Sequence, residues 1–258
     1  MFNLKDVTFL IPVKVDQSER LRNINILISY LRKYLDTHII VAETGPKAYN
    51  NYEIRTNHLD GYYLIPETSE YLNRMKLVNF LAKQATTRII VIQDTDVLLY
   101  PEQYVEATKK ILEESYGLVY PYNGNFYNVP DQYIWAIKGT LDVDFVDPAS
   151  CLNMRPAGDS IGGILFWDRD KFLEIGGCNE KFMSWGFDDN EIYDRASILR
   201  VKIGRCDKGL FHLNHKSSLN SLNGNHPYYK SNEQEWLKVK NMTKEELIAY
   251  TTGGSWNV

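Results

Sequence analysis

Residues 89–96 read Ile89-Ile90-Val91-Ile92-Gln93-Asp94-Thr95-Asp96, and this stretch decides the fold. A short run of β-branched apolar residues is the pattern of a strand buried on both faces. It ends in two carboxylates two positions apart, and in extended backbone residues i and i+2 face the same side. Two hard oxygen ligands at the carboxyl end of a central parallel strand are where an open α/β sheet would hold a divalent cation and the phosphates it neutralises. Asp-x-Asp after a strand is also a common solvated turn, so the rest of the chain must decide between the two.

Outward from this stretch, strands and helices alternate. Val7-Thr8-Phe9-Leu10-Ile11-Pro12 is a first strand, followed by Lys14, Arg20 and Arg22. Leu21, Ile24, Leu27, Ile28, Leu31 and Leu35 fall at helical spacing over 18–35, with Ser18 as N-cap. His38 to Ala42 and Tyr62 to Ile65 read as further strands, and 69–84 as a helix carrying Leu72, Met75, Val78 and Leu81. After Asp96, Pro101 opens a helix expected to stop at Gly117. Such alternation implies an α/β domain with a mostly parallel sheet and right-handed crossovers. No Gly-x-Gly-x-x-Gly follows the first strand and no Walker Gly-Lys-Ser/Thr occurs. Phosphate must therefore be held by metal and side chains.

Composition narrows the class. The 258 residues, 44% hydrophobic, suffice for one large domain or two closely joined halves. A net charge of −4 argues against a general nucleic-acid binder. Cys151, Cys178 and Cys206 form no Cys-x-x-Cys pair, which suggests reduced thiols rather than a disulfide framework or zinc knot. Met1 to Asp6 lacks a signal peptide's apolar stretch, and no run approaches the ~18 apolar residues of a membrane span. A cytoplasmic protein is expected, with at most peripheral contact at the inner membrane face.

The second half reads Ser160-Ile161-Gly162-Gly163, then a short helix over 168–175 closed by Gly176-Gly177, then Trp185-Gly186-Phe187-Asp188-Asp189-Asn190-Glu191. Acids at a helix start complement its dipole. Acids beside a tryptophan also grip a sugar ring, the aromatic face stacking on C–H groups while carboxylates accept from hydroxyls. Further on stands Phe211-His212-Leu213-Asn214-His215. His226-Pro227-Tyr228 reads as a loop turn, with covering of the donor as the alternative; Thr243-Lys244-Glu245-Glu246 has capping-box spacing. The stretch Thr252-Gly253-Gly254-Ser255 reads as a frayed end.

This order of motifs, with Leu72-Asn73-Arg74-Met75-Lys76-Leu77-Val78-Asn79 before them, resembles the GT-A-fold glycosyltransferases, specifically the β-1,4-galactosyltransferase family and related bacterial polysaccharide enzymes. The resemblance runs from Val7 to about His215. It implies a single catalytic GT-A domain, Rossmann-like with flanking helices, in which 1–120 bind the nucleotide sugar, 121–225 bind acceptor and catalyse, and 226–258 form a helical extension. It implies that Pro12, Lys14 and Arg74 lie by the nucleotide, with Arg74 near the uracil and Gly163 beside the donor sugar. Asp96 would bind metal, and Asp94 the ribose or a metal-bound water. Trp185 would stack on the acceptor, Asp188 would bind its hydroxyls, and Asp189 would be the catalytic base. His215 is the preferred imidazole ligand and His212 the second choice, His212 standing where the family has methionine. Imidazole beside carboxylate suits Mn²⁺ better than Mg²⁺.

The chain departs from the pattern at Asp16, where the family has a basic residue, at Asp188-Asp189-Asn190 for Glu-Asp-Asp, and at Phe187 for glycine. The expected activity is inverting, metal-dependent transfer of a hexose or N-acetylhexosamine from a UDP-sugar to a glycan or lipid-linked glycan acceptor, in bacterial surface polysaccharide synthesis. A retaining enzyme like the polypeptide N-acetylgalactosaminyltransferases is the near alternative, although their metal motif is Asp-x-His. A non-catalytic sugar- or nucleotide-binding module is the alternative from another class.

Overall fold

The run at 89–93 forms a strand whose residues are all buried, and a sheet is built outward from it. The computed structural model describes residues 1–45, 53–221 and 225–252. Its chain begins β1 (Phe2–Val13), α1 (Ser18–Tyr34), β2 (Leu35–Gly45), β3 (Gly61–Pro66), α2 (Arg74–Gln84) and β4 (Ile89–Gln93). It continues β5 (Val97–Leu98), α3 (Pro101–Glu114), β6 (Leu118–Tyr120), β7 (Phe126–Val129), α4 (Asp131–Thr140) and β8 (Leu152–Asn153). Last come β9 (Ile164–Asp168), α5 (Arg169–Glu174), α6 (Asp188–Ile198), β10 (Ile203–Arg205), β11 (Leu210–Leu213), α7 (Tyr229–Lys240) and α8 (Lys244–Thr252).

The main sheet has the order β10-β6-β9-β4-β1-β2-β3. All its pairings are parallel except those of β9, which lies antiparallel between β4 and β6. The expected mostly parallel α/β sheet is therefore present. The core is built from the β-branched and aromatic residues of β1, β4 and β9, among them Phe9, Val91, Phe166 and Trp167, none of them accessible. A second sheet, β5-β11-β7-β8, was not foreseen. Its strands are two to four residues long, too short to leave a periodic signal.

Several ends move from their expected places. Gln17, not Ser18, occupies the N-cap of α1. Helix α2 begins at Arg74 rather than Ser69, because the Asn73 side chain accepts from Lys76 N and caps it there. Helix α3 ends at Glu114, before Gly117, where Ser115 turns left-handed at φ 59°. The short helix after β9 is capped by Asp168, whose carboxylate accepts from Asp170 N and Lys171 N. The Thr243 capping box forms as read, Glu246 N donating to Thr243 Oγ1 at 3.2 Å and Thr243 N to the Glu246 carboxylate at 2.8 Å. The end expected to fray at 252–255 lies, beyond Thr252, outside the described residues. All three cysteines are free thiols. Among the described residues no helix is long and apolar enough to cross a membrane.

Candidate active site

Strand β4 stops at Gln93, so Asp94 and Asp96 lie in the turn between β4 and β5 rather than on a strand. The alternation expected of them no longer applies there, and the two carboxylates take different partners. The turn is held by Asp94 N donating to Gly163 O (2.9 Å) and by Leu213 N donating to Asp96 O (2.7 Å). The second bond ties β11 to the turn. Pairing of β11 with both β5 and β7 then sets His212 opposite Val97 and Asn128.

Around Asp96 this geometry assembles a metal-type cluster. Nε2 of His215 lies 3.1 Å from Asp96 Oδ2, and Nε2 of His212 lies 3.8 Å from the same oxygen. The three ligand atoms fall within 4.8 Å of one another. Both imidazoles have their other nitrogen occupied: His212 Nδ1–H donates to Asn128 Oδ1 (2.9 Å) and His215 Nδ1–H to Lys216 O (2.8 Å). With Nδ1 donating, Nε2 of each ring is the nitrogen turned towards Asp96 and open to a cation; His215 Nε2, which bonds Asp96 through its proton, would give that proton up to a metal. Burial works to raise the Asp96 carboxyl, but the imidazoles and Arg20 outweigh it and hold Asp96 well below the usual carboxylate range. Burial lowers His212 below the ordinary imidazole value, whereas for His215 the bond to Asp96 overcomes burial and raises it. Both histidines, the preferred His215 and the second choice His212, face the same carboxylate oxygen.

Asp94 faces Arg74 instead. The guanidinium lies 2.7 Å (Nη2) and 3.0 Å (Nε) from Asp94 Oδ1, while Nη1 is 3.3 Å from Asp188 Oδ2 and 3.8 Å from Asp189 Oδ1. One arginine thus joins the acid of the turn to both acids at the start of α6. Burial alone would lower Arg74, but Asp94, Asp189 and Asp188 raise it and keep it charged. Burial pushes Asp94 up, Arg74 pulls against it, and Asp96 adds to a net rise. Asp189 goes well above the carboxylate range, through burial first and then the Asp188 charge, with Arg74 opposing and Asp94 reinforcing. Glu191, in the same helical turn, is buried against Arg195 at 2.8 Å and belongs to the core.

The Asp189 carboxylate lies against Gly162. A Cβ at Gly162 would come within 2.2 Å of Asp189 Oδ2. Gly163 has a different need for glycine, a φ of +86° with Val97 Cγ2 only 3.1 Å from where a Cβ would be.

Trp185 is 37% exposed and lies parallel to Tyr229, with ring centroids 6.2 Å apart. His226 is buried beneath, donating from Nε2 to Trp185 O at 2.6 Å. The turn at 226–228 thus supports the backbone of the tryptophan. Phe187, in place of glycine, sits at φ 68°, a left-handed conformation costing an L-residue about 1–2 kcal/mol. Its ring stacks on Trp236 at 5.1 Å and meets Tyr229 at 5.0 Å, which offsets that strain.

Of the other residues singled out from sequence, Pro12 is a buried member of β1 opposite Ala42, and Lys14 donates to Ser69 O at 2.6 Å. Asn128, Gly162 and Tyr229 were given no role from sequence, Arg20 was noted only among the basic residues after the first strand, and His226 only within a turn; of the first three, Gly162 alone lies in a local motif, the Gly-Gly pair.

The family described as the N-terminal domain of galactosyltransferase matches residues 150–216, which include Gly162-Gly163, Trp185 to Glu191 and both histidines. Among solved structures, glucosyl-3-phosphoglycerate synthase from Mycobacterium tuberculosis, in complex with Mn²⁺, UDP and phosphoglyceric acid, superposes with a TM-score of 0.53 at 14% identity. That superposition covers 90% of this chain and 78% of that one. The fold is that of a GT-A glycosyltransferase. The catalytic domain of Drosophila β-1,4-galactosyltransferase 7, in complex with xylobiose, covers 94% of this chain and 82% of its own, at 17% identity and a TM-score of 0.49. No curated protein matches the chain by sequence. At these identities the likeness to solved GT-A structures is one of fold, and the sequence resemblance to galactosyltransferases is carried by 150–216.

Proposed function

We propose that this chain is a metal-dependent, inverting glycosyltransferase that moves a hexose or N-acetylhexosamine from a UDP-sugar to a hydroxyl of a glycan acceptor. The observation that carries this is the convergence of Asp96, His212 and His215, each imidazole presenting Nε2 to one carboxylate oxygen. Two imidazole nitrogens and a carboxylate oxygen fit Mn²⁺ better than Mg²⁺, which prefers an all-oxygen shell. Mn²⁺ and UDP in the mycobacterial enzyme of the same fold support the assignment.

When bound there, a divalent cation supplies Lewis-acid stabilisation of the departing diphosphate. The residues of the chain do the rest. Trp185 stacks on the acceptor ring and Asp188 accepts from its hydroxyls. The acceptor oxygen attacks the anomeric carbon and loses its proton to the Asp189 carboxylate; the anomeric C–O bond breaks and its electron pair leaves with the nucleoside diphosphate. One displacement inverts the anomeric centre. The raised pKa of Asp189 suits proton acceptance, because a weakly basic carboxylate would take the proton poorly. Arg74 bridges the two halves, holding Asp94 on the donor side and Asp188 and Asp189 on the acceptor side. Bacterial surface polysaccharide synthesis at the cytoplasmic face, with a lipid-linked acceptor, is the setting that the sequence resemblance favours.

The test is Mn²⁺-dependent release of UDP from a panel of UDP-sugars, with Asp96→Asn as control. Slow hydrolysis of one donor, lost in the variant, is expected. Binding of UDP with no release from any donor, in the presence of a broad acceptor mixture, would refute transfer and leave a binding module.

A further inference from the structure

A nucleoside diphosphate brings several negative charges into a site that already holds Asp94, Asp96, Asp188 and Asp189, so at least one side-chain cation must serve the phosphates beside the metal. The basic residues at the carboxyl end of β1 and at the starts of α1 and α2 can be sorted by what each already does. Lys14 donates to Ser69 O and its charge faces Asp16, Glu67 and Glu70. Arg22 donates to Asn214 O (2.6 Å) and Asn23 Oδ1 (3.0 Å), fastening α1 to the segment after β11. Arg74 is shared among three carboxylates. Arg20 is different.

Its Nε lies 3.1 Å from Asp16 Oδ1, one helical turn back, and its Nη2 donates to Ser218 Oγ at 3.5 Å. Those two contacts hold the plane of the guanidinium. Among the described residues the contact of Nη1 is a 3.8 Å approach to Asp96 Oδ2, the oxygen that both histidines face. At 17% exposure the side chain is mostly desolvated, which strengthens its hydrogen bonds to an anion. A planar, permanently charged fork with one edge fixed and the other pointing at a cation site is suited to phosphate oxygens.

We infer that Arg20 is the diphosphate-binding arginine of this site and that Asp16 is its positioning residue. The acid at position 16 thus has a task of its own, because it aims the arginine four residues later that carries the charge. This inference rests on the UDP-sugar reading of the site.

The test is calorimetric binding of UDP and of uridine, each with Mn²⁺, and binding of Mn²⁺ alone followed by electron paramagnetic resonance. Arg20→Gln should weaken UDP on the order of ten- to a hundredfold, the range for losing a charge-assisted bond to phosphate. Uridine affinity should be unchanged, and Mn²⁺ alone should bind as well or better, since a neighbouring positive charge is gone. Asp16→Asn should weaken UDP severalfold without improving Mn²⁺ binding. Unchanged UDP affinity in Arg20→Gln would overturn the inference, as would a parallel fall in UDP, uridine and Mn²⁺ binding, which marks a structural arginine. A wild-type protein that binds Mn²⁺ but no UDP would overturn the UDP-sugar reading itself, and this inference with it.

Discussion

Replacing Gly162 by alanine adds one methyl group to the wall on which the proposed base rests. The backbone of Gly162 is outside the left-handed region, so alanine is tolerated there on conformational grounds. Its Cβ, however, would stand 2.2 Å from Oδ2 and 3.0 Å from Cγ of Asp189. Carbon and oxygen cannot approach so closely, and the carboxylate must retreat by roughly 1 Å. The end of a side chain can do this without disturbing α6, so the thermal midpoint should fall little. The reacting geometry is less forgiving. Misplacing a catalytic group by about 1 Å costs on the order of 10²-fold in rate, or ~2.7 kcal/mol of barrier. The expected result is Mn²⁺ and UDP affinities as in wild type with turnover reduced about a hundredfold, measured by UDP release in the presence of acceptor. Wild-type turnover in a folded Gly162→Ala protein would refute the assignment of Asp189 as base in the position it occupies here.

Two other outcomes follow from the same geometry. Asn128→Leu removes the acceptor for His212 Nδ1–H and frees the ring to change tautomer; Mn²⁺ affinity should drop about 10–100-fold with the fold intact, and an unchanged Mn²⁺ titration would separate His212 from the metal. Asp189→Asn should abolish transfer yet raise the thermal midpoint at neutral pH, because the folded state holds this carboxylate with a pKa above its unfolded value. Wild-type stability from this group declines as pH rises from the ordinary carboxylate value of about 4 towards the raised one. The gap between variant and wild type should therefore close below about pH 4, and thermal unfolding at acid and neutral pH checks it; a variant less stable than wild type at neutral pH would contradict it.

The sheet was legible because its decisive strands carry their own signal. Ile89 to Ile92 are apolar at every position, which identifies a strand buried on both faces whatever its neighbours. Helix α1 announces itself by the spacing of Leu21 through Leu31. The antiparallel place of β9 could not be read the same way, since four consecutive buried residues look alike in either direction. The small second sheet was out of reach for a different reason: two-residue strands such as β5 and β8 exist through their partners and carry no periodicity.

The site divides along the same line. Asp94, Asp96, Trp185, Asp188 and Asp189 stood out because each lies in a compact motif. Asn128, Arg20 and Tyr229 did not, because what gives them meaning is a partner far along the chain. Asn128 acts on His212 through pairing of β7 with β11, Arg20 meets Asp96 across the gap between α1 and β4, and Tyr229 reaches Trp185 from the start of α7. Arg74 is the instructive case. Its motif drew attention to it in the sequence, but its partners, acids on two separate elements, fix its charge and give it a structural task as well. A single guanidinium beside both the turn acid and the two acids at the start of α6 makes these two elements electrostatically dependent on each other. Any change that draws Asp94 away from Arg74 would leave more of that positive charge for Asp188 and Asp189 and so oppose the rise of the Asp189 pKa.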